Sequence, residues 1–126
     1  MFEHTPAFSG FSVPDVPEAV AFYRDVLGLR VEEHDGIAHL HLGGGGHVIA
    51  YPKGDAHEPA SFTILNFPVP DVPAAVAELT ARGVRFEHYE GTPVETDEAG
   101  VFRGGGPLIA WFTDPGGNVL SVIEDA

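Results

Sequence analysis

The residues best suited to chemistry in this chain are histidines. His39 and His41 stand two apart in the run Ile37–Leu42, and His47 follows a stretch of four glycines. Residues two apart on a strand share a face. Asp35-Gly36 is a two-residue hairpin signal, and such a turn sets His39 opposite Glu32 and His41 opposite Arg30. Leu29, Val31, Leu40 and Leu42 then occupy the other face. A three-residue turn at Gly43–Gly45 pairs His41 with His47 and keeps Ile49 and Tyr51 on that same face. A two- or four-residue turn sends His47 to the opposite one. Imidazole titrates near physiological pH and is a common metal ligand. His39, His41, His47 and Glu32 are therefore candidates for an acid–base or metal-binding cluster. The plainer reading is a row of solvated histidines near a sheet edge. His4, His57 and His88 have no comparable company in the sequence.

A second group lies further on. Strand alternation puts Asn66 on the face of Ile64, and an amide there can orient a carbonyl or an amine. Of Trp111 and Phe112, adjacent on one strand, one must face away from the core. An aromatic ring in that position stacks a flat or cationic ligand. Ser121 is a hydrogen-bonding candidate, without a visible base to make it a nucleophile. Gly104–Gly106 lacks the lysine and hydroxyl context of a phosphate loop.

The elements that must position these residues come as a repeat. Phe11–Ala21 reads FSVPDVPEAVA and Phe67–Ala77 reads FPVPDVPAAVA. After a one-residue slip, Gly28–Glu32 (GLRVE) is answered by Gly83–Glu87 (GVRFE). Self-similarity on this scale sets the architecture. In the first copy Phe8–Val13 is a strand ended by Pro14. Asp15 caps a helix, with Glu18 completing a capping-box pattern and Gly28 stopping it. Strands follow at Leu29–His34, Ile37–Leu42 and His47–Tyr51. In the second copy Phe62–Val69 is a strand and Asp71 caps a helix from Val72 to about Arg82. Val84–Tyr89 is a strand, Glu90–Gly106 a long loop, and Leu108–Thr113 with Val119–Glu124 a closing hairpin around Asp114–Asn118. The plan is β-α-β-β-β twice, an α+β fold within one domain. Module one spans about residues 7–52, a linker 53–60, and module two about 61–125.

Composition narrows the function classes. The chain has 126 residues, 44% hydrophobic, with a formal charge of −13 and only six Lys plus Arg. Nucleic acids and anionic membranes are poor partners for such a charge, whereas a cationic ligand is compatible with it. There is no Cys, hence no disulfide or thiolate chemistry. No basic leader or apolar stretch of spanning length is present, so a cytoplasmic protein is expected.

The paired modules, the phrase Ala21–Leu29 (AFYRDVLGL) and the turn Asp114–Asn118 (DPGGN) together resemble the vicinal oxygen chelate superfamily over essentially the whole chain. That group includes glyoxalase I, extradiol dioxygenases, fosfomycin-modifying transferases and bleomycin-resistance proteins. The resemblance implies curved mixed sheets around a concave cavity, and usually a homodimer. It also implies where a metal would be held: at Phe8 and Ile64 on the first strands, near Ile49, and at Ser121. None of these side chains is an imidazole or carboxylate, so no metal and no cofactor are expected. Glu124 is near in sequence, but its odd offset from Ser121 puts it on the other strand face. Two classes stay open. One is a metal-free binding protein of the bleomycin-resistance type, sequestering a small cationic or aromatic molecule. It would use Phe8, His41, His47, Ile49, Tyr51, Ile64, Asn66, Trp111 and Ser121. The other is a glyoxalase-like lyase or isomerase of a small carbonyl compound. It would rely on a relocated metal or on His39, His41 and Glu32.

Overall fold

Asp15 and Asp71 start the two principal helices. Both have extended backbone and accept from the N–H three residues on, at Glu18 (3.3 Å) and Ala74 (2.9 Å). Proline follows in each first turn, where its missing N–H costs nothing. Helix α2 runs as one α-helix over Val72–Ala81. Helix α1, Val16–Val20, continues instead as a π-helical segment over Ala21–Val26. In that segment the Leu27 N–H reaches back five residues to the Phe22 carbonyl (3.0 Å). Gly28 lies thirteen residues after Asp15, and Gly83 twelve after Asp71. The extra residue that makes the repeat slip is absorbed as the wider π turn, a common way for a helix to take an insertion.

The computed structural model describes residues 1–125, which fall into two compact units, Met1–Glu58 and Pro59 onward. The first unit holds strands β1 (Ser9–Val13), β2 (Arg30–His34), β3 (Ile37–His41) and β4 (His47–Pro52), in the order β1-β4-β3-β2. β1 and β4 are parallel and the other pairs antiparallel. The second unit repeats this with β5 (Thr63–Val69), β6 (Val101–Phe102), β7 (Ile109–Thr113) and β8 (Val119–Glu124), in the order β5-β8-β7-β6. Again the first and last strands run parallel. The parallel pairing needs a long crossover, and the helix supplies it. No helix among the described residues is long and apolar enough to cross a membrane.

Alternation then separates two faces in each sheet. In the first unit Phe11, Val13, Ala38, Leu40, Val48 and Ala50 are buried together with Val16, Ala19, Val20 and Tyr23 of the helix. Leu40 is wholly buried, which is worth about 2 kcal/mol. In the second unit Ala110, Phe112, Leu120 and Val122 are buried together with Val72 and Val76. The Asp35-Gly36 turn has positive φ at both residues, 54° and 76°. This is the primed turn whose twist matches the strands, and it yields the expected register of Glu32 with His39 and Arg30 with His41.

One expected strand is corrected. Among the described residues, Val84–Tyr89 makes a single bridge, Phe86 to Phe112, and a hydrogen bond from the Glu87 N–H to the Trp111 carbonyl (2.7 Å). The rest of that sheet edge is taken by β6, from within the expected loop. Asp97 drives this return. Its carboxylate accepts from the backbone N–H of Ala99 and Val101 (2.9 Å each) and from Arg103 Nε (2.8 Å). Gly100, at φ 95°, lets the returning chain press on Phe86, where a Cβ would come within 3.0 Å. Asp114 and Asn118 lock the final turn. Asn118 donates from its backbone N–H (2.9 Å) and Nδ2 (3.0 Å) to the Asp114 carboxylate, and its Oδ1 accepts from the Ala60 N–H (2.9 Å).

Removing the α2 cap tests this reading. Asp71→Ala is expected to lower the unfolding free energy by about 1 kcal/mol, seen as a lower urea midpoint with an unchanged slope.

Candidate functional site

The face of each sheet turned away from its helix carries the candidate residues. In the first unit that face is rich in rings and charge. The Gly43–Gly45 turn has three residues, so His41 pairs with His47, and Leu42 and Gly46 close the turn through a 2.9 Å hydrogen bond. His39, His41, His47, Ile49 and Tyr51 therefore share one face, all half-buried. Gly10 makes room for them: a Cβ there would lie 2.9 Å from Ile49 and 3.4 Å from Tyr51.

Glu32 is the hub of this face. Its Oε1 lies 2.6 Å from Arg30 Nη2 and 3.2 Å from His41 Nε2, and its Oε2 lies 3.2 Å from His34 Nε2. The hydrogen bonds from His34 and Arg30 hold its pKa below the ordinary glutamate value. The rings continue outward from there. His34 meets His39 edge-on (5.4 Å between centroids), His39 stacks near His47 (6.1 Å), and His41 lies 6.4 Å from His47. Phe8, 57% exposed, precedes β1 and stacks on His47 at 4.8 Å. His57 also gains a partner on this unit: its Nδ1 lies 2.8 Å from Ser12 Oγ.

In the second unit the register sets Asn66, Ser121 and Trp111 in a row across β5, β8 and β7. Ser121 is fully buried, and its hydroxyl donates to Asn66 Oδ1 at 2.5 Å. That bond fixes the exposed Asn66 amide and leaves its nitrogen as the donor for a ligand. Trp111, half-buried, holds the outward position, and its neighbour Phe112 is wholly buried under the helix. Ile64 departs from the expected pattern. The register shifts between Thr63 and Leu65, so Ile64 sits in a bulge and no longer reports the face of Asn66.

Two ligand-facing candidates escaped the sequence. Tyr89 meets Trp111 edge-on at 5.3 Å, and Phe102 lies 6.2 Å from it. Burial, and after it the Glu87 carboxylate, push the Tyr89 phenol above its ordinary pKa, so it stays a hydrogen-bond donor at neutral pH. Together the three rings form an aromatic corner in the same cross-strand row as Asn66, with Ser121 between.

A family model described as the glyoxalase/bleomycin resistance protein/dioxygenase superfamily matches residues 5–122. The chain belongs to this superfamily. Solved structures agree on the fold over nearly the full length. A superfamily member from Sphaerobacter thermophilus is 22% identical with a TM-score of 0.70, covering 99% of this chain and 100% of that one. The antibiotic-binding protein TnmS3 from Streptomyces is 22% identical with a TM-score of 0.65, covering 98% of each chain. The protein SMU.1112c is 26% identical with a TM-score of 0.61, covering 93% of this chain and 96% of that one. No curated protein matches the chain.

A metal ion of the kind used by enzymes of this superfamily needs imidazole or carboxylate donors. At the positions the resemblance implies, Phe8 stacks on His47, Ile49 is aliphatic, Ile64 lies in the bulge and the Ser121 hydroxyl is engaged by Asn66. These side chains do not fit a metal ion. Elsewhere, no group of three His, Asp or Glu among the described residues is arranged to hold one.

Glu32 gives this face a pH signature. A carboxylate with a depressed folded pKa stabilises the fold above its ordinary pKa, and that stability is lost as pH falls through the depressed value. Glu32→Gln is expected to flatten the dependence of Tm on pH between about pH 5 and pH 3, relative to wild type. The effect is small because the group is partly solvated. An unchanged profile would show that the cluster carries no net coupling.

Proposed function

We propose that this chain is a metal-free binding protein that holds a small planar aromatic cation against the Trp111 corner. Trp111 carries the reading: it stands outward in one cross-strand row with Asn66, flanked at 5.3 Å by Tyr89 and at 6.2 Å by Phe102. Aromatic faces attract both flat rings and cations. A formal charge of −13 favours cation approach over anion approach. The Asn66 amide adds directional recognition of a carbonyl or ether oxygen on the same ligand. One structural neighbour is described as an antibiotic-binding protein, which supports sequestration as a use of this fold. In this reading the protein acts as a homodimer in the cytoplasm.

A second reading rests on the 3.2 Å contact of Glu32 with His41. That pair could move a proton on a small carbonyl substrate, as a lyase or isomerase requires. Both side chains are more than a third exposed, which suits a surface pair better than a tuned catalytic one.

Substitution separates the two. With 1-methylquinolinium as the probe, and quinoline and naphthalene-2-sulfonate as neutral and anionic controls, fluorescence of the sole tryptophan is expected to quench saturably for the cation. Trp111→Ala removes the signal, so its affinity is read by calorimetry and is expected to fall about tenfold or more. His41→Ala is expected to bind as wild type does. A large loss with His41→Ala alone would overturn the binding assignment in favour of the Glu32–His41 face.

A further inference from the structure

The second unit has another concavity, on the helix side of its sheet. Pro73, Val76, Ala77, Thr80 and Ala81 line it from α2, at spacings of i, i+3, i+4, i+7 and i+8, one continuous stripe. The stripe is about 12 Å long. Val84, Phe86 and Val101 line the groove from the segment that leaves the sheet edge and returns to it. The groove is open to solvent along its length, with a volume of about 850 Å³.

The internal repeat explains how the second copy comes to have this groove. In the first, β2 zips onto β3 over five residue pairs. In the second, the backbone of the matching segment after Gly83 bonds to the sheet, among the described residues, at Phe86 and Glu87 alone. The chain therefore stands away from the sheet beside small residues of α2. The same comparison bears on charge. Arg30 is neutralised by Glu32 at 2.6 Å. Its counterpart Arg85 lines the groove, and Glu87, the counterpart of Glu32, does not. Among the described residues Arg85 has no ion-pair partner. Arg103, also at the groove, is held by Asp97 at 2.8 Å, and His88 and Glu98 complete the polar rim. A guanidinium with no ion-pair partner among the described residues, beside an aliphatic stripe, is unusual in a chain with only six cationic side chains against nineteen acidic ones.

We propose that this groove binds a medium-chain alkyl carboxylate, its chain along the α2 stripe and its head on Arg85. The wall is aliphatic apart from Phe86 and Thr80, and the stripe suits an extended chain on the order of ten carbons. A guanidinium recognises a carboxylate through paired N–H donors. This site is separate from the Trp111 corner and does not depend on the function proposed for it.

The test is calorimetric titration of the whole protein with decanoate below its micelle concentration, with binding mapped by backbone amide shifts. Saturable binding is expected, with shifts at Val84, Ala99 and Val101. Decyltrimethylammonium and decanol are expected to bind at least about tenfold more weakly. Arg85→Gln is expected to cost decanoate about tenfold. Ala77→Phe fills the stripe and is expected to abolish binding while the circular dichroism spectrum is retained. Should Ala77→Phe not fold, Arg85→Gln and the shift map decide alone. No saturable binding, equal affinity for Arg85→Gln, or shifts centred on Trp111 and Asn66 would overturn the proposal. Tighter binding of 3-phenylpropanoate than of decanoate would overturn the alkyl assignment.

Discussion

One helix covers one face of one four-stranded sheet, and the consequences run through each unit. Burial of Phe11, Leu40 and Val48 with Tyr23 of one helix, or of Phe112 and Leu120 with Val76 of the other, uses a single face of the strands. Period-two alternation then compels every second residue to the other face. That face has no helix, so its chemistry is free of the demand to be aliphatic. Histidine, glutamate, asparagine and tryptophan occupy it because the core does not need those positions. Fold and site are thus two readings of the same alternation.

This constraint made much of the chain legible from sequence. Asp35-Gly36 fixed the β2–β3 register to the residue, because only a primed turn fits two residues between twisted strands. The caps at Asp15 and Asp71 were equally plain. The position of His47 was not, since four glycines accommodate several loop lengths and the register decides the face. The Trp111 or Phe112 alternative had the same origin: alternation says that one faces out, and only the pairing with Ser121 says which.

The failures were non-local. Val84–Tyr89 has the alternation of a strand, but a strand also needs an edge to pair with. Asp97 and Gly100 fold the following loop so that Val101 and Phe102 take most of that edge. Tyr89 and Phe102 were missed for the same reason, since nothing local ties a loop aromatic to a tryptophan on another strand. The only sequence signal was an aromatic on each side of an acidic, glycine-rich loop. Ile64 shows the opposite error. Its face was used to place Asn66, yet a bulge separates the two, and it is pairing with Ser121 that aligns Asn66 with Trp111.

The two copies have diverged where packing permits. The α1 copy carries an added residue as a π turn, and its outward sheet face collects imidazoles around Glu32. The α2 copy keeps a regular helix, loses most of its edge strand, and gains both an aromatic corner and a groove lined by Arg85. The buried positions under the helices changed little in character, because a wrong volume there costs several kcal/mol. The outward faces and the edge segment carry no such penalty, so one duplicated scaffold could acquire a titratable surface in one half and ligand-sized concavity in the other. The same freedom explains why metal donors can be absent at Phe8, Ile49, Ile64 and Ser121 without loss of the fold. The sheet beneath those side chains is held by the buried residues in between.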